Sequence, residues 1–190
     1  MFQSYENRGG PDHTSERITN LRTELKKRNI DGFIVPRSDR HLNEYVSDHD
    51  ERLLWLTGFS GSAGLSIILQ NTAAIFVDGR YTLQVRHEVD LSIISPISIT
   101  EQSPANWLGE QMKQGMRIGI DPSLHSVKAF ETYQETIEQK GGKLVSLKNN
   151  PVDNIWPDQP AEPKNPVTAH PKKYAGQNPD EKITQIQEIL

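Results

Sequence analysis

The chain has 190 residues, 34% hydrophobic and 24% charged, and a formal net charge of −4 from 21 basic and 25 acidic side chains. That length suits one domain of about 150 residues with a real core, and its basic residues are too scattered to form a nucleic-acid footprint. With no cysteine there is neither disulfide framework nor thiol catalysis. The opening MFQSYENRGG lacks the basic and apolar regions of a signal peptide, and no apolar run approaches the ~20 residues of a bilayer span. A soluble cytoplasmic protein is therefore expected, with neither nucleic acid nor membrane as partner.

Residues 1–13 are polar and expected to fray. From Thr14 or Ser15, read as the cap, Ile18, Leu21 and Leu25 trace one face of a helix ending near Asn29. Asp31-Gly32 turns the chain into a buried strand, Phe33 to Val35, stopped by Pro36. Arg37 to Asp50 reads as polar loop with a short helical turn, and Glu51 to Thr57 as a short helix. Leu65 to Leu69 and Ala73 to Val77 are apolar strands reversed at Asn71-Thr72. Asp78-Gly79 breaks the second, and Arg80 to Val89 resumes helical spacing through Tyr81, Val85 and Val89. Ser92 to Ile99 favours a strand broken by Pro96.

A helix is expected behind Ser103-Pro104, running to Gln114 with Trp107, Leu108 and Met112 inward. Met116 to Ile120 is a further strand, Val127 to Lys140 a helix with Phe130, Tyr133 and Ile137 on one face, and Leu144 to Leu147 a last strand. This alternation predicts an α/β fold over residues 14–150, with helices on both faces of a β-sheet that is mixed because residues 65–77 form a hairpin. Prolines then punctuate residues 151–178, which read as an extended Pro-rich linker. Ile183, Ile186, Ile189 and Leu190 begin an amphipathic helix in residues 179–190, expected to open a truncated second domain.

Arg80 is the strongest candidate for a direct role. It follows a strand's carboxyl end, where open α/β sheets bind ligands, and a guanidinium there can clamp a carbonyl or carboxylate. Alternatively it pairs with Asp78 and fixes the strand-to-helix turn, Asp78 itself reading as a turn carboxylate and Tyr81 as core. Gly58, Gly61 and Gly64 suggest a phosphate cradle, but their spacing matches no nucleotide fingerprint, which favours close packing beneath the hairpin. Asp48, Asp50 and Glu51, with His41, Glu44 and His49, hold metal-ligating atoms without a ligand spacing, which favours a solvated helix start. His13, His87, His125 and His170 lack paired ligands and read as surface residues. Trp107 reads as core, and Trp156 as an anchor against a following domain.

Five segments carry a family likeness: Pro36-Arg37-Ser38-Asp39 with His41 and Glu44-Tyr45; Thr57 to Gly64; Asp78-Gly79-Arg80-Tyr81; Gly119 to Pro122; and Asn150 to Trp156. In order and spacing, over about residues 14–175, they resemble the amino-terminal domain of long, three-domain Xaa-Pro aminopeptidases, the aminopeptidase P enzymes of the creatinase and prolidase superfamily. The resemblance implies a peptidase that removes the residue preceding proline. Its two divalent metals, manganese above all, would sit in a carboxyl-terminal catalytic domain and none in these residues. It implies that the first domain caps the active site, contacts the proline-containing peptide and contributes to a homodimer. Arg80 matches the family's substrate-reaching arginine, and Asp39 and His41 would border the cleft. A metal-free binding module on the same scaffold, as in a histone-chaperone subunit, and a prolidase or creatinase relative are the alternatives.

Overall fold

A computed structural model describes residues 8–190. In chain order its elements are α1 (Thr14–Lys27), β1 (Gly32–Pro36), α2 (Arg52–Thr57), β2 (Leu65–Leu69), β3 (Ala73–Val77), α3 (Gln84–Glu88) and β4 (Ser95–Ser98). There follow α4 (Pro104–Gln111), β5 (Arg117–Ile120), α5 (Val127–Gln139), β6 (Lys143–Ser146), α6 (Pro151–Ile155), α7 (Lys172–Ala175) and α8 (Pro179–Ile189). Among the described residues the six strands form one sheet in the order β4-β3-β2-β1-β5-β6. β2 is antiparallel to both β1 and β3, whereas the pairs β1–β5, β5–β6 and β3–β4 are parallel. The sheet is mixed for the reason expected: the β2–β3 hairpin reverses one strand.

The period of two along each strand divides the core between the two faces. Phe33, Val35, Ile68 and Ile75 pack with Ile18, Leu21, Leu25, Leu53 and Leu56 of α1 and α2. Ile34, Ile67, Phe76, Ile118 and Ile120 pack with Trp107, Leu108, Tyr133 and Ile137 of α4 and α5. Because both faces are covered, β1 and β3 are buried along their whole length and read as continuous apolar runs. Ser103 and Ser126 cap α4 and α5, accepting hydrogen bonds from the amides of Asn106 and Ala129.

Several expectations need correction. His13, not Thr14 or Ser15, precedes α1, and the Thr14 hydroxyl instead donates to the carbonyl of Thr57, tying α1 to the end of α2. Pro36 belongs to β1, at its last pair with Leu65. Pro96 lies inside β4, where the sheet edge spares it a partner for the missing amide. Turns occupy residues 79–83, so α3 starts only at Gln84.

The largest difference lies after Asn150. Asn150 caps α6 by accepting from the Val152 amide, Pro151 takes the first helical position, and Val152 is fully buried against the α1 face. Asp153 receives two hydrogen bonds from Arg52, at 2.6 and 3.0 Å. Trp156 is buried within this unit, stacked on Trp55 with ring centroids 5.1 Å apart and planes 16° from parallel. It does not face outward toward another domain. The longest stretch without helix or strand after α6 is residues 156–171. Of the expected terminal segment, residues 1–7 lie outside the described residues, and the Gly10 amide donates to the carbonyl of Gly58 at 3.0 Å. α8 is capped by a reciprocal Asn178–Glu181 pair, and Ile183, Ile186, Ile189 and Leu190 are all exposed.

Candidate functional site at the carboxyl edge of the sheet

The strand directions place the segments after β1, β3, β5 and β6 on one edge, joined there by residues 58–64, which lead into β2. Asp39 and His41 follow β1 and Arg80 follows β3, so the three expected site residues share this edge. They do not meet directly. Asp39 is buried, and its carboxylate accepts from the amides of His41 (2.8 Å) and Asn43 (3.0 Å) and from the Asn43 side chain (3.0 Å). Burial alone would raise its pKa, but these hydrogen bonds outweigh that effect and the carboxyl titrates below its ordinary range. Both oxygens of Asp39 therefore close the loop, and His41 stands exposed at its tip.

Arg80 is 62% exposed in its side chain. Its Nε donates to Asp78 Oδ1 at 3.0 Å and its Nη2 to Oδ2 at 2.8 Å, while its backbone amide also donates to Oδ1. The hydrogen bonds from Arg80 hold Asp78 down to about 2, and the same contact raises the guanidinium's pKa. An arginine carries five N–H donors, of which this pairing uses two. Nη1 and the second N–H of Nη2, at the outer end of the fork, have no hydrogen-bond partner among the described residues. Local pairing with Asp78 and a second bidentate contact at the outer end are thus compatible, and the two readings of Arg80 do not compete.

Sequence reasoning missed the groups that join the loops. Arg37, only 11% exposed, donates from Nη1 to the carbonyls of Glu44 (2.9 Å) and Ser62 (3.0 Å) and from Nη2 to Glu51 (3.1 Å). One guanidinium so ties the Asp39–His41 loop, the glycine segment and the start of α2. The hydroxyls of Ser62 and Tyr81 share a hydrogen bond, which carries the connection on to the Arg80 segment. Buried Glu88 accepts from the amide and hydroxyl of Ser60 and from Gln84, anchoring the same glycine segment from α3. The available signal was an arginine one position beyond a fully buried strand, where its charge must find partners close by.

The glycines serve packing, as expected. Gly58 has φ +80°, and a Cβ on Gly61 would lie 2.2 Å from the Phe59 ring. The acidic cluster is likewise occupied: Asp48 pairs with Arg8, Asp50 with Arg52, and Glu51 with Arg37. Among the described residues no three His, Asp or Glu side chains converge to hold a metal ion. His125 departs from the surface reading. Its ring packs edge-on to Tyr133, its Nε2 is buried without a partner, and desolvation pushes its pKa down to about 4 despite nearby Asp121. Exposed Leu42, Tyr45 and Leu83 occupy loops leaving the same edge as Arg80.

Comparison with known proteins agrees with this architecture. A profile of the creatinase/prolidase N-terminal domain matches residues 17–154. "Probable Xaa-Pro aminopeptidase P" of Paracoccidioides brasiliensis (strain Pb03) is 38% identical over 180 residues, covering 93% of this chain and 29% of that protein. Xaa-Pro aminopeptidase 2 of Rattus norvegicus is 32% identical over 179 residues, covering 94% and 27%. The chain thus spans less than a third of the length of these relatives. Among solved structures, the X-prolyl aminopeptidase of Caenorhabditis elegans, described as a cytosolic enzyme with a di-nuclear active site, superposes with a TM-score of 0.82 at 25% identity. That match covers 93% of this chain and 31% of the worm enzyme. The N-terminal domain of the cytoplasmic peptidase PepQ from Mycobacterium tuberculosis H37Rv shares the fold, with a TM-score of 0.55 at 19% identity over 74% of this chain and 98% of that domain.

Proposed function

Since the chain belongs to the creatinase/prolidase N-terminal domain family, we propose that it is the non-catalytic first domain of a metal-dependent Xaa-Pro aminopeptidase, capping the active site and binding the peptide. The curated relatives that cover this chain at 32–38% identity are Xaa-Pro aminopeptidases, which favours that activity over other uses of the scaffold. The observation that carries the reading is the outer end of the Arg80 guanidinium, held by Asp78 on one side and unpaired on the other. Two divalent metals, manganese in this proposal, would be held by a separate catalytic domain, where they would supply Lewis-acid chemistry for peptide hydrolysis. The worm enzyme's di-nuclear active site supports that division of labour.

In this scheme Arg80 supplies forked N–H donors to a carbonyl or carboxylate of a proline-containing peptide. His41 borders the cleft from the facing loop, and Asp39 keeps that loop closed. Leu42, Tyr45 and Leu83 are apolar groups of the kind a neighbouring protein surface covers, either the catalytic domain or the second subunit of a homodimer. A cytoplasmic location follows the worm enzyme. No helix among the described residues is long and apolar enough to cross a membrane.

The test is Arg80→Ala in the complete peptidase, assayed on Xaa-Pro peptides with the metal-loaded enzyme. Loss of a charged hydrogen-bonding contact should reduce kcat/KM roughly tenfold to a hundredfold. Unchanged kinetics with an intact fold reject the role of Arg80. Metal-dependent hydrolysis by residues 1–190 alone would overturn the division between domains.

A further inference from the structure

Arg80 stands on an exposed segment, where a lone ion pair restrains a side chain weakly. Beneath it lies a better-held group. The Arg80 guanidinium carbon is 5.0 Å from the centroid of the Tyr81 ring, within cation–π range. That ring is fixed on two other sides. It meets Phe59 edge-on, with centroids 5.6 Å apart and planes at 82°, and its hydroxyl is bonded to Ser62. Phe59 is fully buried, and the Ser62 carbonyl is bound by the largely buried Arg37. The Phe59 ring in turn fits closely over Gly61 and Gly64, where a Cβ would come within 2.2 and 2.9 Å of it.

From this chain of contacts we propose that Tyr81 is the positioning residue for Arg80: its ring, pinned by Ser62 and Phe59, is the platform that sets the direction of the guanidinium's free end. The proposal deepens the substrate-binding reading of Arg80 and rests on it for its consequence in catalysis, but the positioning itself is a property of these residues alone. Asp78 fixes one edge of the guanidinium, and Tyr81 fixes its plane. Together they leave the outer Nη1/Nη2 pair aimed in one direction, which lowers the ordering cost of binding. The glycine segment thus acts at a distance, since its close packing holds the ring on which the arginine lies.

The experiment has two parts. In the 190-residue chain, nitrogen-15 relaxation of the Arg80 Nε–H reports its order parameter. Tyr81→Leu should lower it by about 0.2, most of the interval between rigid and flexible groups. Ser62→Ala, which frees the tyrosine hydroxyl but keeps the ring, should produce a smaller fall, and Tyr81→Phe should match Ser62→Ala. An unchanged order parameter in both Tyr81→Leu and Ser62→Ala overturns the proposal.

In the complete peptidase, Tyr81→Leu should lower kcat/KM about two- to fivefold, chiefly through KM, and Tyr81→Phe should recover most of the loss. In an Arg80→Ala background the same substitution should have no further effect. A full-sized effect in that background shows that Tyr81 does not act through Arg80 and also overturns the proposal. If Arg80→Ala alone leaves catalysis unaltered, the substrate-binding reading fails, and the relaxation measurement still decides the positioning.

Discussion

Replacing Trp156 by alanine tests whether the folded unit extends through α6. The indole is 8% exposed and packs in the core formed by α1, α2 and one face of the sheet. Its stacking partner Trp55 carries the Arg17 guanidinium on its ring, 4.6 Å from the centroid, so Trp156 closes a layered group that joins three helical segments. Removing a buried tryptophan costs about 3–5 kcal/mol, of which the aromatic stack accounts for about 0.5–1.5. For a chain of this size that corresponds to a fall in Tm of roughly 6–20 °C. Urea denaturation and thermal melting followed by far-ultraviolet circular dichroism measure it. Trp156→Phe, which keeps a ring against Trp55, should lose less than half as much. Ile186→Ala, on exposed α8, should change stability by no more than about 0.5 kcal/mol. A Trp156→Ala cost below about 1 kcal/mol would refute the docking of α6 and restore the view that the domain ends at Asn150.

His125 makes stability depend on pH. Its folded-state pKa of about 4 lies below the ordinary value of 6.5, so the native state disfavours the charged ring. The associated stability is complete above pH 6.5, declines as pH falls, and is lost below pH 4, by about 3 kcal/mol in all. Urea midpoints measured from pH 7.5 to 4 should show this loss and should flatten in His125→Phe; equal slopes in the two proteins would sink the assignment. Gly58→Ala should destabilise by more than about 1 kcal/mol, because φ is +80° and the new Cβ would stand 2.0 Å from the carbonyl oxygen of Gly10. Stability equal to the parent in the same urea titration would contradict that local geometry.

Periodicity carried most of the scaffold. The strands at residues 33–35, 65–69 and 73–77, the helix behind Ser103-Pro104 and the helix from Val127 were legible because apolar runs, helical spacing and a first-turn proline are local properties. Composition misled after Asn150. Frequent proline describes an extended chain, yet Pro151 is suited to a helix's first position and Val152 and Trp156 are apolar enough to be captured by a neighbouring face. Helical spacing overran the chain after β3 for a related reason: Tyr81 is held by Ser62 and Phe59 in a turn rather than by its own helix.

The candidate site divides in the same way. Sequence by itself determined that Arg80 follows a strand end, that Asp39 and His41 share a loop, and that a glycine-dense turn lies between them, since each is a relation among near neighbours. The β2–β3 hairpin was legible too, but tertiary structure alone decided that β1 pairs with the other side of β2, which brings those segments to one edge, and that Arg37 and the Ser62–Tyr81 pair join them. The reason is physical. A charged or hydroxyl side chain needs a partner when it is buried, but which distant backbone group becomes that partner depends on strand order and register, and these are settled only when both faces of the sheet are covered.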